Sequence, residues 1–204
     1  MNTAHLVDCG LGNLMSVANT LESLGCDIVR CASPAQLENS THIVLPGVGA
    51  FGDAIAKMRD SGLDKAIVSA VREGKKLLGI CLGMQLLFDK SYEYGEHEGL
   101  HLIPGEVRKM ETAPFNLRLP HIGWNDTFML KKDDIFEGMN NPTCFYYINS
   151  YSCICLNREN ILGEYEYGEK YCAIVRKDNI VGVQFHPEKS QKGGLKLLKA
   201  FISM

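Results

Sequence analysis

Five residues, Gly79-Ile80-Cys81-Leu82-Gly83, have the types and spacing of a nucleophile elbow, G-x-S-x-G, with a thiol in place of the hydroxyl. A sharp strand-to-helix turn lifts one side chain clear of a sheet. Glycines on both sides let the turn form and let a substrate approach. The start of the helix favours a thiolate there, because the helix dipole is positive at that end. The backbone N–H of Leu82 would face an oxyanion developing on the substrate. A buried structural cysteine in a tight turn satisfies the same pattern, since unreactive buried cysteine is common.

A cysteine nucleophile needs a base, and the base needs an orienting acid. Gln184-Phe185-His186-Pro187-Glu188 follows a late apolar run. In an extended segment alternate residues share a side, so His186 and Glu188 are expected on one face, with Pro187 stiffening the turn. Cys81, His186 and Glu188 then supply nucleophile, base and acid. An isolated histidine is more often a satisfied core or surface residue. The adjacent Pro-Glu and the preceding run argue against that here. His5, His42, His97 and His101 have no such neighbours, and His121 falls in a separate cluster, Pro120-His121-Ile122-Gly123-Trp124-Asn125.

Gly47-Val48-Gly49-Ala50-Phe51-Gly52 reads G-x-G-x-x-G after a strand. A dinucleotide-binding turn is the sharp alternative. The match falls on the third strand, and no acidic residue closes a following strand at the distance a ribose contact needs. Backbone N–H groups of Gly47–Gly49 serve better as a second oxyanion donor. Gly10-Leu11-Gly12-Asn13-Leu14-Met15 is better placed but lacks the third glycine.

The elements that must carry these residues alternate in the first half. Strands are expected at Ala4–Cys9, Asp27–Cys31, His42–Leu45 and Leu77–Ile80. Leu14, Val17, Ala18, Leu21 and Leu24 recur at helical spacing, as do Leu63, Ala66, Ile67, Ala70 and Val71. Ala54–Arg59 reads as a short helix, and Leu82–Asp89 as the helix after the elbow. Leu77–Ile80 is apolar on both sides, as in a parallel sheet covered by helices. This is a doubly wound α/β pattern. The second half holds short strand candidates: Val107–Met110, Phe128–Leu130, Cys144–Ile148, Ser152–Leu156, Ile161–Tyr165, Cys172–Val175 and Ile180–Phe185. Antiparallel additions to the parallel core account for them, and Leu195, Leu198 and Ile202 close the chain in a helix. One domain over residues 1–204 is the economical reading.

Composition sets the outer limits. The 204 residues are 46% hydrophobic and 22% charged, ordinary globular usage. No stretch approaches the roughly 18 apolar residues of a spanning helix. A net charge of -3 gives no support to phosphate-driven nucleic-acid binding. The 8 cysteines form no C-x-x-C pair, which argues against a zinc ribbon or thioredoxin motif. The start, Met1–His5, lacks the basic region of a secretory signal. A reducing cytoplasm suits these thiols, and no metal or organic cofactor is expected.

These motifs together resemble the class I, triad-type glutamine amidotransferases. Within them the chain is similar to the glutaminase subunits of imidazole glycerol phosphate synthases. The resemblance is carried by Gly10–Asn13, Pro46–Gly52, Gly79–Gln85, Leu102–Gly105, Pro120–Asn125, Asn149–Tyr151 and Gln184–Ser190, in the family's order. It implies a flavodoxin-like, doubly wound mixed sheet. It implies that Cys81 attacks the side-chain amide of glutamine through a thioester, with His186 moving protons and Glu188 orienting it. Gln85, Ser150 and Tyr151 would hold the glutamine. Leu82 N–H and the Val48–Gly49 peptide would form the oxyanion hole. The partner it implies is a barrel-type synthase (cyclase) subunit that receives the ammonia out of reach of water, with Asn13, Trp124, Tyr146 and Lys177 at the interface. Asn149 stands where the family usually has His. Two alternatives stay open. One is a paralogous glutaminase that feeds a sugar amidotransferase through a similar barrel. The other is a non-catalytic scaffold, against which the intact Cys81, Gln85, His186 and Glu188 argue.

Overall fold

The computed structural model describes residues 2–8, 10 and 14–204. In chain order the elements are β1 (Thr3–Val7), α1 (Leu14–Ser23), β2 (Asp27–Cys31), β3 (His42–Gly47), α2 (Phe51–Ser61), α3 (Leu63–Arg72), β4 (Lys76–Cys81), α4 (Leu82–Leu86), β5 (Phe88–Ser91), β6 (His97–Glu98), β7 (Ile103–Lys109), β8 (His121–Met129), β9 (Thr143–Asn149), β10 (Tyr151–Cys155), β11 (Ile161–Tyr167), β12 (Glu169–Lys177), β13 (Ile180–Val183) and α5 (Gln191–Ser203).

The main sheet runs β2-β1-β3-β4-β13-β12-β11-β8-β9. Its first five strands are parallel. The other four join antiparallel, as the second half of the sequence suggests. Alternation along the central strands serves both faces. Ile43, Leu45 and Leu77 pack with Phe51, Met58, Leu63 and Ile67 of α2 and α3. Val44, Leu78 and Ile80 pack with Leu21 of α1 and Leu198 and Phe201 of α5. Burial on both faces is why β3 and β4 read as continuous apolar runs.

Three expectations need correction. The helix after the elbow stops at Leu86, not Asp89, and Phe88–Ser91 is a strand. The carbonyls of Leu86 and Leu87 accept from Leu100 and Leu102 N–H, so a distant segment takes the acceptors a longer helix would use. Phe88 is fully buried in a second sheet, β10-β7-β5-β6, that covers the α2–α3 face and has no separate signature in the sequence. Secondly, β8 spans His121–Met129, far longer than Phe128–Leu130, because His121–Thr127 pairs with β9 while Thr127–Met129 pairs with β11. Thirdly, α2 begins at Phe51 instead of Ala54. The Glu93 carboxylate accepts the Phe51 N–H at 2.7 Å, a cap from 42 residues away in the chain. Cys9 lies outside the described residues.

Candidate active site

β4 delivers Cys81 at its C-terminal end, and α4 begins on the next residue. Cys81 has φ 55 and ψ -111, a conformation costly for any residue with a side chain. Packing enforces it. A Cβ on Gly83 would lie 1.8 Å from the Leu45 carbonyl oxygen of β3, and one on Gly79 would lie 2.7 Å from the Gly83 carbonyl oxygen. The glycines of the motif are therefore required by backbone packing under the turn.

β13 runs beside β4 with Val183 opposite Ile80, so the chain beyond it passes Cys81. His186 follows and is pinned to β9: its N–H donates to the Tyr146 carbonyl at 2.9 Å. The Ser190 hydroxyl donates to the His186 carbonyl at 2.6 Å and accepts the Tyr146 N–H at 3.0 Å. His186 and Glu188 do share a side, though not by an extended segment. Pro187–Lys189 is a single 3-10 turn, closed by Lys189 N–H on the His186 carbonyl at 3.0 Å. Pro187 stands at its first position, where its fixed φ fits.

His186 Nδ1 lies 2.8 Å from Glu188 Oε1, and both side chains are buried. With Nδ1 on Glu188, Nε2 is the ring nitrogen left for Cys81, which is near enough to raise the imidazole. Burial pulls the imidazole down, but Cys81 and Glu188 outweigh it and push the ring up to about 10. The raised affinity of the buried imidazole for its proton thus contributes stability that is fully present below the free imidazole value of 6.5 and is lost as pH rises through about 10. In Glu188→Gln, the His186 titration followed by NMR moves downward. An unmoved titration would show that the carboxylate does not hold the imidazolium.

Cys81 opens into a cavity of about 350 Å³. Val48, Gly49, Leu82, Gln85, Ser150 and Tyr151 line it together with Cys81 and His186, so the residues expected there converge. Gly49 has φ 105, which suits glycine. Glu93 and Lys189 also line the cavity and carried no expectation. Gln184 was visible within its motif but had no assigned role. Fully buried, it lies with Nε2 3.8 Å from Cys81 Sγ and Oε1 3.1 Å from Gln85 Nε2. Asn149 is buried beside the cavity, its amide donating to Tyr165 OH at 2.9 Å and the Tyr151 carbonyl at 3.0 Å. His121 is a core residue, stacked on Tyr167 at 4.0 Å between centroids and lowered by burial.

The residues assigned to a partner separate. Trp124 and Tyr146 pair across β8 and β9 with rings 5.7 Å apart, and Lys189 Nζ sits 6.0 Å from the Tyr146 ring. Lys177 pairs with Ile180, which pairs with Leu77, at the end of β4 remote from Cys81. Its ammonium donates to the Leu102 carbonyl at 2.9 Å. The structure groups Lys189, not Lys177, with the aromatic pair. Asn13 lies outside the described residues.

A thiol on a strand-to-helix elbow, a buried His-Glu pair behind it and a mixed sheet with one parallel half define the class. Residues 5–204 match the family model "Glutamine amidotransferase class-I", and the chain belongs to that family. It is 43% identical over 198 residues to "Imidazole glycerol phosphate synthase subunit HisH" of Sulfurimonas denitrificans, covering 96% of this chain and 95% of that one. The same-named protein of Aquifex aeolicus is 43% identical over 197 residues, covering 96% and 94%. In fold it is similar to the solved "Structure of PurLQS from Thermotoga maritima", with TM-score 0.78, 18% identity and coverage of 100% and 99%. It is also similar in fold to a "Crystal structure of glutamine amidotransferase", with TM-score 0.76, 20% identity and coverage of 98% and 99%. Among the described residues, no helix is long and apolar enough to cross a membrane.

Proposed function

We propose that this chain is the glutaminase subunit of an imidazole glycerol phosphate synthase, working as one domain. The observation that carries the reading is the buried Cys81–His186–Glu188 constellation at a cavity sized for a small ligand. The Cys81 sulfur attacks the side-chain carboxamide carbon of glutamine. Its proton resides on His186, oriented by Glu188. The C–N bond breaks as His186 returns the proton to the leaving ammonia, and a glutamyl thioester remains. Water, deprotonated by His186, adds to the thioester; the C–S bond breaks and glutamate leaves. Leu82 N–H and the Val48–Gly49 peptide would hold the oxyanion. Gln85, Ser150 and Tyr151 would hold the glutamine. Glu93 and Lys189, one of each charge, suit the ammonium and carboxylate of an amino acid.

The partner in this reading is a barrel-type synthase (cyclase) subunit. Its docking face would be the outward side of β8 with Tyr146 of β9. Ile122, Trp124 and Phe128 alternate outward there at 59%, 47% and 48% exposure, an apolar stripe that surface strands rarely leave bare. Ile148, paired with Ile122, lines the cavity and so joins stripe to site. Excluding water along that path would keep ammonia unprotonated and nucleophilic. The cytoplasm, where the thiol stays reduced, is the compartment this reading requires.

Glutamate release by the purified chain, alone and with the histidine-pathway barrel subunit and its nucleotide ligand, tests the proposal. Strong stimulation is expected. Lack of stimulation, with Cys81 still labelled by a glutamine-analogue inhibitor, would point instead to the paralogue with another acceptor. In Trp124→Ala, affinity for the barrel subunit falls roughly tenfold to a hundredfold, as for an aromatic anchor. Its melting temperature stays at the wild-type value, since the ring is half exposed. Unchanged affinity would remove Trp124 from the interface.

A further inference from the structure

Two buried glutamines form a hydrogen-bonded relay whose direction is fixed at one end. The Tyr151 carbonyl can only accept, so the Gln85 group that meets it at 3.2 Å is the amide nitrogen. That same nitrogen lies 3.1 Å from one end of the Gln184 amide. Two amide nitrogens cannot bond each other, so that end of Gln184 is its oxygen. The other end, Nε2, must then face Cys81 Sγ, 3.8 Å away. Flipping the Gln184 amide would set nitrogen against nitrogen and leave a buried donor unmet, which is costly. Gln184 is fully buried, so water does not compete for its N–H. A neutral thiol is a weak acceptor, whereas a charged acceptor forms a much stronger bond.

We propose that Gln184 is a catalytic residue whose amide N–H stabilises the Cys81 thiolate, held in the donating orientation by Gln85 and the Tyr151 carbonyl. It rests on Cys81 being the nucleophile. Gln184 supplies a neutral donor that does not titrate, beside the titrating donor of His186. Gln85 and Tyr151 also line the substrate cavity, so the same chain links the sulfur to the wall that receives glutamine.

The test is the rate of Cys81 alkylation by iodoacetamide against pH, on the full chain, followed on the Cys81 peptide by mass spectrometry. The titratable groups around the sulfur are His186, backed by Glu188, and Cys153 of β10; Glu93 and Lys189 line the same cavity. None is altered in the variants. Gln184→Met keeps length and burial but removes the donor. The pH of half-maximal alkylation is expected to rise by about one unit, a tenfold smaller thiolate population below it. The plateau rate at high pH stays at the wild-type value. Gln184→Glu keeps the shape and turns an acceptor toward the sulfur, so its midpoint rises at least as far. Should the methionine variant not fold, the glutamate variant decides. An unchanged midpoint in a variant that melts like wild type overturns the proposal. Slow alkylation of wild-type Cys81 itself, no faster than the exposed Cys144, overturns the nucleophile assignment and the proposal with it.

Discussion

In Cys81→Ser, glutamine hydrolysis falls by at least about a thousandfold, the scale on which losing a covalent nucleophile acts. The site is arranged around the Cys81 sulfur. His186 is buried against it and pushed up to about 10 by Cys81 and Glu188 together. A serine hydroxyl at the same place does not ionise and does not hold the imidazolium, so His186 loses one of its two supporting partners. Serine is nearly isosteric, and the elbow's conformation is set by Gly83 and Gly79 and not by the sulfur. Packing is therefore kept while part of the support of His186 is lost, and the melting temperature should fall by roughly 2–4 °C, the shift produced by about 1 kcal/mol in a chain of this size. Binding of the barrel subunit should persist, because the Trp124–Tyr146 surface does not include residue 81. Glutamate release and a thermal melt check both halves. Retention of more than a tenth of the wild-type rate would remove Cys81 from the chemistry and revive the scaffold reading.

Gly83→Ala should cost the fold about 3 kcal/mol, the upper range for forcing an extra methyl into a packed interior. The added Cβ would lie 1.8 Å from the Leu45 carbonyl oxygen and 2.8 Å from its carbon. Both are backbone atoms of a central strand, buried on both faces, and cannot swing aside. Either α4 lifts or β3 shifts. Each also displaces Cys81, so activity is lost with stability. At about 2–4 °C per kcal/mol, the melting temperature drops by roughly 10 °C. Gly74→Ala is a useful comparison, since nothing lies within 4 Å of its added Cβ, though its φ of +89 strains alanine. Its cost is expected near 1 kcal/mol, the backbone penalty alone. A Gly83→Ala protein that melts within a degree or two of wild type would mean the elbow is not held by its contact with β3.

Local pattern made the parallel half of this protein legible. Leu77–Ile80 is apolar on every residue because helices cover both faces, and the motif around Cys81 interrupts that run with glycines only a turn needs. The closing helix was marked by Leu195, Leu198 and Ile202, of which Ile202 is buried and Leu195 is exposed, so the stripe is rotated toward Leu197 and Phe201. What could not be read was whatever depends on groups distant in the chain. Phe88 became a strand because Leu100–Ile103 captured the carbonyls before it. α2 started early because of a carboxylate from Glu93. Lys177 was an expectation drawn from resemblance, and only the register of β12, β13 and β4 shows it at the far end of the sheet, while Lys189 lies by the aromatic pair.

By itself, then, the sequence determined which atoms are available: a thiol between two glycines, and a histidine with a carboxylate after one proline. Residue type and short-range geometry are properties of the chain alone. The tertiary structure decided which of them meet. It set β13 against β4 and so brought His186 to Cys81 across more than a hundred residues of chain. It also turned the buried amide of Gln184 toward the sulfur through a carbonyl on another strand. A hydrogen bond's direction is set by all its neighbours at once, and those neighbours exist only when the strands are paired.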